Sequence, residues 1–315
     1  MSNPWTELLK KIDDRAVPRY KKVIIVCAPN VESSRQFEAR FLPTGVQTLN
    51  ETLNFLGFDA ISLEIRTSNG RLEHFLDLDV YTIPFPVKSQ SIEYLRAFVK
   101  LEDHQNCDIH YFFLLDWSMS NQRTWLRQLN SSVQLLQDAG SYVSQGSITV
   151  CCMNTEHIYT WQKNTAQWLP RHVEFVQQSV RSFCLLKECS LLYRTSLANS
   201  EKEETDQTVF VDIVSGDFSN IMADLVNPSK LLIPFGSDSI GLIKTVCDSF
   251  DPIRVLEEEF IRKKFETLVP TLDDSSLRDE APSNLDLLTP YKVDIQQELA
   301  KIYHKVQAQK AADNV

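Results

Sequence analysis

The chain has 315 residues, 43% of them hydrophobic, enough for one large domain or two small ones around a substantial core. A formal charge of −10 disfavours a broad electrostatic grip on nucleic acid or on an anionic membrane, and none of the basic runs is long enough to reverse that. Glycine is scarce, 8 residues against about 22 at an average usage of roughly 7%, so glycine-lined ligand loops are few and binding through a surface is favoured over catalysis in a cleft.

In chain order, Asn3-Pro4 reads as a helix cap and first helical position, after which Trp5, Leu8, Leu9 and Ile12 fall on one face, so residues 1–19 form an amphipathic arm. The start is polar rather than a basic, apolar secretory segment, and no apolar run approaches the roughly 20 residues needed to cross a bilayer. A soluble, intracellular protein without membrane insertion is expected. Lys10, Lys11, Lys21 and Lys22 read as solvated flanks.

Residues 23–37, VIIVCAPNVESSRQF, have the outline of a phosphate-binding strand, loop and helix without its working parts. In G-x-x-x-x-G-K-[ST], glycines let backbone N–H groups curl around phosphates, a lysine reaches the outer phosphates and a hydroxyl helps to hold magnesium. Here Cys27 and Glu32 stand at the glycine positions, Ser33 at the lysine position, and Pro29 removes a backbone donor; only Ser34 keeps the required chemistry. The segment is an ordinary strand-to-helix turn or a lapsed nucleotide site, and both readings argue against an NTPase, with no cofactor expected.

Further strands are predicted at 58–65, 76–83, 109–116, 147–153, 190–195 and 230–233, besides 22–27. Continuous apolar runs such as IHYFFLLD suit strands buried on both faces. The runs 58–65 and 76–83, joined through Asn69-Gly70, read as an antiparallel hairpin. Between strands, Leu126, Leu129, Val133 and Leu136 form one helical stripe and Val173, Val176, Val180 and Phe183 another. The alternation predicts an α/β fold: a mostly parallel sheet with one antiparallel edge and helices on both faces, the small-GTPase arrangement, over residues 20–270. Residues 271–288 are acidic and poor in large apolar side chains, hence a linker. A last helix over 289–315 carries Ile295, Leu299, Ile302 and Val306 on one face and needs a surface to bury it, in cis or on a partner.

Candidate chemistry is sparse. Asn154-Thr155-Glu156-His157 keeps only the asparagine of the guanine-reading Asn-Lys-x-Asp. Asp116 reads as a turn or cap acceptor more readily than as a magnesium ligand, because the phosphate loop it would serve is missing. Six histidines form no tight ligand set, and His172 sits at a helix start as a surface or capping residue. Seven cysteines lack zinc-site spacing, so no metal is expected, and Cys27, Cys151, Cys152, Cys184 and Cys247 have hydrophobic neighbours typical of reduced core residues. A thiol site of Cys151 or Cys152 with His157 is the weaker alternative to core. Trp5, Trp117, Trp125, Trp161 and Trp168 are candidate contact anchors, although most should be core or half-buried.

Five segments together resemble the dynein light intermediate chain family of cytoplasmic dynein. PWTELLKKI is similar to its W-x-x-I/L-L opening, VIIVCAPNVESSRQF sits where that family has its phosphate-loop strand and helix, and LLDWSMSNQRTWLRQL resembles V-D-M-S-x-P-W followed by a helix. HVEFVQQSVRSFCLLKECSLLYRTS looks like H-x-x-F-I-Q-x-x-x-R-x-F-C and the strand ending in Tyr-x-Thr-Ser, and LLIPFGSDSIGLIKTVCDSFDP is similar to the I-P-x-G-W-D-S segment, with Ser237 replacing its tryptophan. The resemblance implies a degenerate Ras-like P-loop domain and a non-catalytic, short fungal-type subunit in the cytoplasm. That subunit would be associated with microtubules through the dynein heavy-chain tail and, indirectly, the other dynein subunits. Trp5, Leu8, Leu9 and Ile12 of the arm and Leu299, Ile302 and Val306 of the last helix are the candidate partner contacts. Animal members keep a recognisable phosphate loop, so no nucleotide role carries to Ser33 or Ser34. Alternatives from the residues are a residual nucleotide hydrolase with Arg35 in place of the lysine, and a pseudo-GTPase adaptor in membrane traffic.

Overall fold

The computed structural model describes residues 17–42, 57–66, 72–99, 108–140, 145–164, 167–196 and 200–271. The chain divides into two units, Met1–Asp273 and Asp274–Val315, and every described residue lies in the first. The arm residues Trp5, Leu8, Leu9 and Ile12, the Asn69-Gly70 turn and the last-helix residues Leu299, Ile302 and Val306 lie outside the described residues.

Among the described residues, seven strands form one sheet: β1 (Arg19–Ala28), β2 (Gly57–Arg66), β3 (Leu72–Pro84), β4 (Ile109–Asp116), β5 (Ile148–Met153), β6 (Ser190–Tyr193) and β7 (Leu232–Ile233), in the order β2-β3-β1-β4-β5-β6-β7. β1 pairs parallel with β3 and β4, and β4, β5 and β6 continue in parallel. β2 runs antiparallel to β3, as the hairpin reading expects. The two-residue β7 adds a second antiparallel pairing at the opposite edge. Among the described residues, seven α-helices of five or more residues accompany these strands: α1 (Val31–Phe41), α2 (Ser89–Phe98), α3 (Trp125–Asp138), α4 (Glu156–Asn164), α5 (Pro170–Leu186), α6 (Ser200–Ser215) and α7 (Ile240–Lys244). The parallel, doubly covered sheet is the predicted fold class.

The pleat of β1 and β4 divides the core. Ile24, Val26 and Ala28 of β1 with Phe112 and Leu114 of β4 face Phe37 and Phe41 of α1 and Phe210 and Ile213 of α6. Ile25 and Cys27 with Tyr111, Phe113 and Leu115 face the opposite layer, where Ile92, Leu126, Val133, Val176 and Phe183 close α2, α3 and α5 onto the sheet. Both predicted helical stripes are therefore buried. Each of these large side chains contributes roughly 1.5–3 kcal/mol on burial, which is why β1, β4 and β5 carry apolar residues at successive positions rather than alternate ones.

Buried charge pairs tie the layers together. Asp206 of α6 accepts from Arg40 of α1 at 2.5 Å and from Arg194, just past β6, at 2.7 Å, with all three side chains under 10% exposed. Arg181 of α5 meets Asp238 through two bonds of 2.8 and 2.9 Å. This pair joins two of the segments that carry the family resemblance, since Arg181 lies in HVEFVQQSVRSFC and Asp238 in IPFGSDS. Gly236, at φ +81, makes the turn that aims Asp238 back at the helix.

Several expectations change. Trp117, Trp125, Trp161 and Trp168 are core, as expected of most of the tryptophans, packed ring against ring with centroids 5.0 to 6.0 Å apart, which removes them as candidate contact anchors. Cys247 is exposed rather than core, because α7 ends at Lys244 and the following residues form surface turns. Lys22 is a largely buried partner of Asp108 at 2.5 Å and of the Val214 carbonyl at 2.6 Å, because its aliphatic stem lies under the end of α6. Thr271, assigned to the linker by composition, is buried and bridges Asn121.

Candidate functional site

At the carboxyl ends of β1, β4 and β5, the place where open α/β sheets bind ligands, the degenerate loop closes on itself. Asn30 caps α1: its Oδ1 accepts the Ser33 backbone N–H at 2.7 Å, occupying a helix-terminal amide that a phosphate would need. Ser33 Oγ lies 2.6 Å from Asp116 Oδ2 and 2.9 Å from Asn30 Oδ1, and its single proton serves the shorter contact. Ser34, the one position with the right chemistry, turns away and donates to Glu38 at 3.0 Å. Cys27 is fully buried in β1, and Glu32 is exposed, bonded to Gln36 one turn along.

Asp116 is the centre of this arrangement. Its Oδ1 accepts from Ser118 N at 2.8 Å, Ser118 Oγ at 2.6 Å and Asn154 Nδ2 at 2.9 Å, and its Oδ2 accepts from Ser33. Burial pushes its carboxyl up, but the hydrogen bonds from Ser118, Ser33 and Asn154 outweigh that and hold it below the ordinary value. The reading of Asp116 as a turn acceptor is correct in part: it accepts its own turn, and it also gathers the residues standing at the old lysine and base-reading positions. Asn154 holds φ 57, in the left-handed region that asparagine tolerates. Glu156 opens α4 and binds across to Ser196, accepting its backbone N–H at 3.0 Å and its hydroxyl. The Ser118 contacts were legible as a D-x-S turn. Nothing local marked the Glu156–Ser196 contact, which spans 40 positions.

Above this network lies a concavity of about 450 Å³ lined by Glu32, Asp116, Asn154, Glu156, His157 and Ser196 among others. Three carboxylates and no lysine or arginine face it. Arg35, the suggested replacement for the missing lysine, is exposed and absent from the lining, because it follows Ser34 on the outer side of α1. Among the described residues no group of three acid, histidine or cysteine side chains could hold a metal ion. A polyphosphate would here meet repulsion, a capped helix and no counter-cation.

The remaining candidates fall away from chemistry. Cys151 and Cys152 are fully buried in β5, and burial pushes the Cys151 thiol up to about 12 and the Cys152 thiol well above its ordinary value, so neither supplies a thiolate to His157. His172 sits in the first turn of α5 with Nδ1 3.2 Å from the Leu169 amide, the capping role expected.

Comparison with known proteins gives a consistent result. A family model described as "Dynein light intermediate chain (DLIC)" matches residues 130–264. The chain is 29% identical over 315 residues to "Cytoplasmic dynein intermediate light chain DYN3" of Saccharomyces cerevisiae, covering 96% of each. It is 28% identical over 269 residues to the protein of the same name from Eremothecium gossypii, covering 85% of this chain and 69% of that one. A crystal structure entitled "Crystal Structure of the Dynein Light Intermediate Chain's Conserved Domain" superposes with a TM-score of 0.55 over 76% of this chain and 89% of its own; at 19% identity that likeness is one of fold.

Proposed function

We propose that this chain, which belongs to the dynein light intermediate chain family, is a non-catalytic accessory subunit of cytoplasmic dynein. In this reading it binds the tail of the heavy chain and supports minus-end-directed transport on microtubules. The observation that carries the reading is the alignment across 96% of both this chain and the Saccharomyces protein, since a likeness of that extent involves the folded domain as a whole and not one motif. The self-satisfied Asp116 network supports a binding role over hydrolysis.

The folded domain acts as a rigid body. The arm over 1–19, through Trp5, Leu8, Leu9 and Ile12, and the helix over 289–315, through Leu299, Ile302 and Val306, bury their apolar faces on heavy-chain helices, with residues 271–288 as the tether. Each large anchor can contribute roughly 1.5–3 kcal/mol before ordering costs. In this reading the subunit works in the cytoplasm on microtubules through the heavy chain, without nucleic acid or membrane insertion. Affinity purification of the tagged chain with mass spectrometry tests this. Stoichiometric heavy chain is expected with the natural sequence, and its loss with Trp5→Ala combined with Leu299→Asp. Heavy chain retained by that double variant overturns the contact assignment, and its absence from the natural sequence overturns the subunit reading.

A further inference from the structure

Cys184 and Cys189 stand at the two ends of the turn that stops α5. The Cys189 backbone N–H donates to the Cys184 carbonyl at 2.8 Å and that of Glu188 to the Leu185 carbonyl at 3.4 Å, with Glu188 at φ 55 as the left-handed residue that folds the chain back over the last helical turn. Gln145 donates to Glu188 Oε1 and the Gly146 amide to the Glu188 carbonyl, each at 2.9 Å, so the turn is held from outside as well. This closure bounds the geometry of the two cysteines. With standard covalent lengths on either side of the 2.8 Å hydrogen bond, their Cα atoms are no more than about 6.7 Å apart, inside the roughly 4.4–6.8 Å that a disulfide spans. Both residues also line one concavity of about 200 Å³, walled by Leu185, Leu191, Ile233 and Phe235, so the free thiols share one space.

We infer that Cys184 and Cys189 are a modification site, which hydrogen peroxide entering this concavity converts to a reversible disulfide that staples the end of α5 to the start of β6. Cys189 reacts first: its sulfur bonds to one peroxide oxygen, the O–O bond breaks, and the other oxygen leaves with the thiol proton as water. The Cys184 sulfur then displaces the hydroxyl from the Cys189 sulfenic acid, and that hydroxyl departs with the Cys184 proton as a second water. Two thiols are oxidised and one peroxide is reduced. Burial raises both thiols above their ordinary value, the Lys187 charge offsetting part of this for Cys189, so thiolate is scarce and the bridge forms slowly, under sustained oxidant. Arg181 and Asp238 line the same concavity, so the bridge closes a wall of the clamp that they form.

The test treats the folded full chain with hydrogen peroxide, blocks remaining thiols with N-ethylmaleimide in urea, and digests with trypsin without reduction. Cleavage after Arg181, Lys187 and Arg194 puts the two cysteines on separate peptides, residues 182–187 and 188–194. Cys247, exposed and with its thiol held below the ordinary value by hydrogen bonding to Ser249, is the internal gauge of oxidation. The two peptides are expected joined once Cys247 is fully oxidised, separate again after dithiothreitol, and never joined in Cys184→Ser or Cys189→Ser. The bridged chain should also unfold at a higher urea midpoint than the reduced one. Separate peptides after full oxidation of Cys247 overturn the assignment. So do peptides joined only when the chain is unfolded before peroxide is added, Cys184 joined to Cys152 instead, or a bridged chain that unfolds at lower urea. Heavy-chain recovery is scored on other samples and is independent of each of these outcomes.

Discussion

Asp238 and Asp116 are both carboxylates withdrawn from water, and each gathers residues far apart in sequence, yet they are satisfied by different means. Asp238 meets one guanidinium in a two-pronged pair, Arg181 at 2.8 and 2.9 Å, fixing the segment after β7 to the middle of α5. Asp116 has no cation; two hydroxyls, a backbone amide and a carboxamide share it. α5 is pinned along its length, Gln177 donating to the Pro228 carbonyl at 2.6 Å and Gln178 to that of Ile243 at 2.9 Å, so the Asp238 pair belongs to a clamp, beside a smaller concavity of about 200 Å³. The Asp116 network belongs to a corner that leaves a concavity open to solvent. In this chain a charge pair fixes one buried carboxylate, and neutral donors satisfy the other at the mouth of the larger concavity.

The largest expected effect separates these modes. Arg181→Ala leaves Asp238 buried and unpaired and should lower unfolding free energy by about 3–5 kcal/mol, whereas Arg181→Met with Asp238→Leu should recover most of that. Urea unfolding of the three proteins checks it; a double variant no better than the single one would mean that the pair is irreplaceable rather than merely paired. Asp116→Ala should cost less, about 2–3 kcal/mol, by stranding the donors of Ser33, Ser118 and Asn154. Adding Ser33→Ala and Asn154→Ala to Asp116→Ala should recover only part of the loss, since the Ser118 backbone amide remains. Full recovery would erase the distinction drawn between clamp and corner.

How legible each region was in the sequence follows from the range of its contacts. β1, β4 and β5 were readable because strands buried on both faces need apolar residues at every position, and the stripes of α3 and α5 because one face repeats at helical spacing. The corner was half readable: the missing lysine and glycines argued against phosphate binding, but that Ser33 and Asn154 would both turn to Asp116 depends on three strand ends meeting. The Arg181–Asp238 pair spans 57 positions and leaves no local pattern; only the family resemblance marked both ends as belonging to one motif set. Four tryptophans are core, as expected of most of them; which of them could have been an anchor was not legible, because an aromatic carries the same one-dimensional signature in a core as at an interface. Cys247 misled because apolar neighbours in sequence, Val246 among them, are themselves exposed here.

Acid distinguishes Asp116 from another buried group on its own strand, at the smallest of these magnitudes per step. His110, on β4, is fully enclosed, with Nε2 2.9 Å from Thr149 Oγ1; burial, aided by the nearby Lys22 charge, lowers its pKa to about 3 from an ordinary 6.5. A neutral folded histidine against an unfolded one that protonates near 6.5 means that its contribution is fully present above that pH. The contribution declines by up to about 1.4 kcal/mol per unit as pH falls from 6.5 towards 3. Asp116 behaves differently: its folded value lies below the ordinary 3.8, so its contribution is complete above that pH and is lost only as pH falls through the folded value. Between pH 6.5 and 4.5, therefore, His110→Gln should flatten the stability slope relative to the natural sequence and Asp116→Ala should leave it parallel. Urea midpoints measured at half-unit steps would show this, and a flattened slope in Asp116→Ala would mean that the corner, too, loses its support to acid under mild conditions.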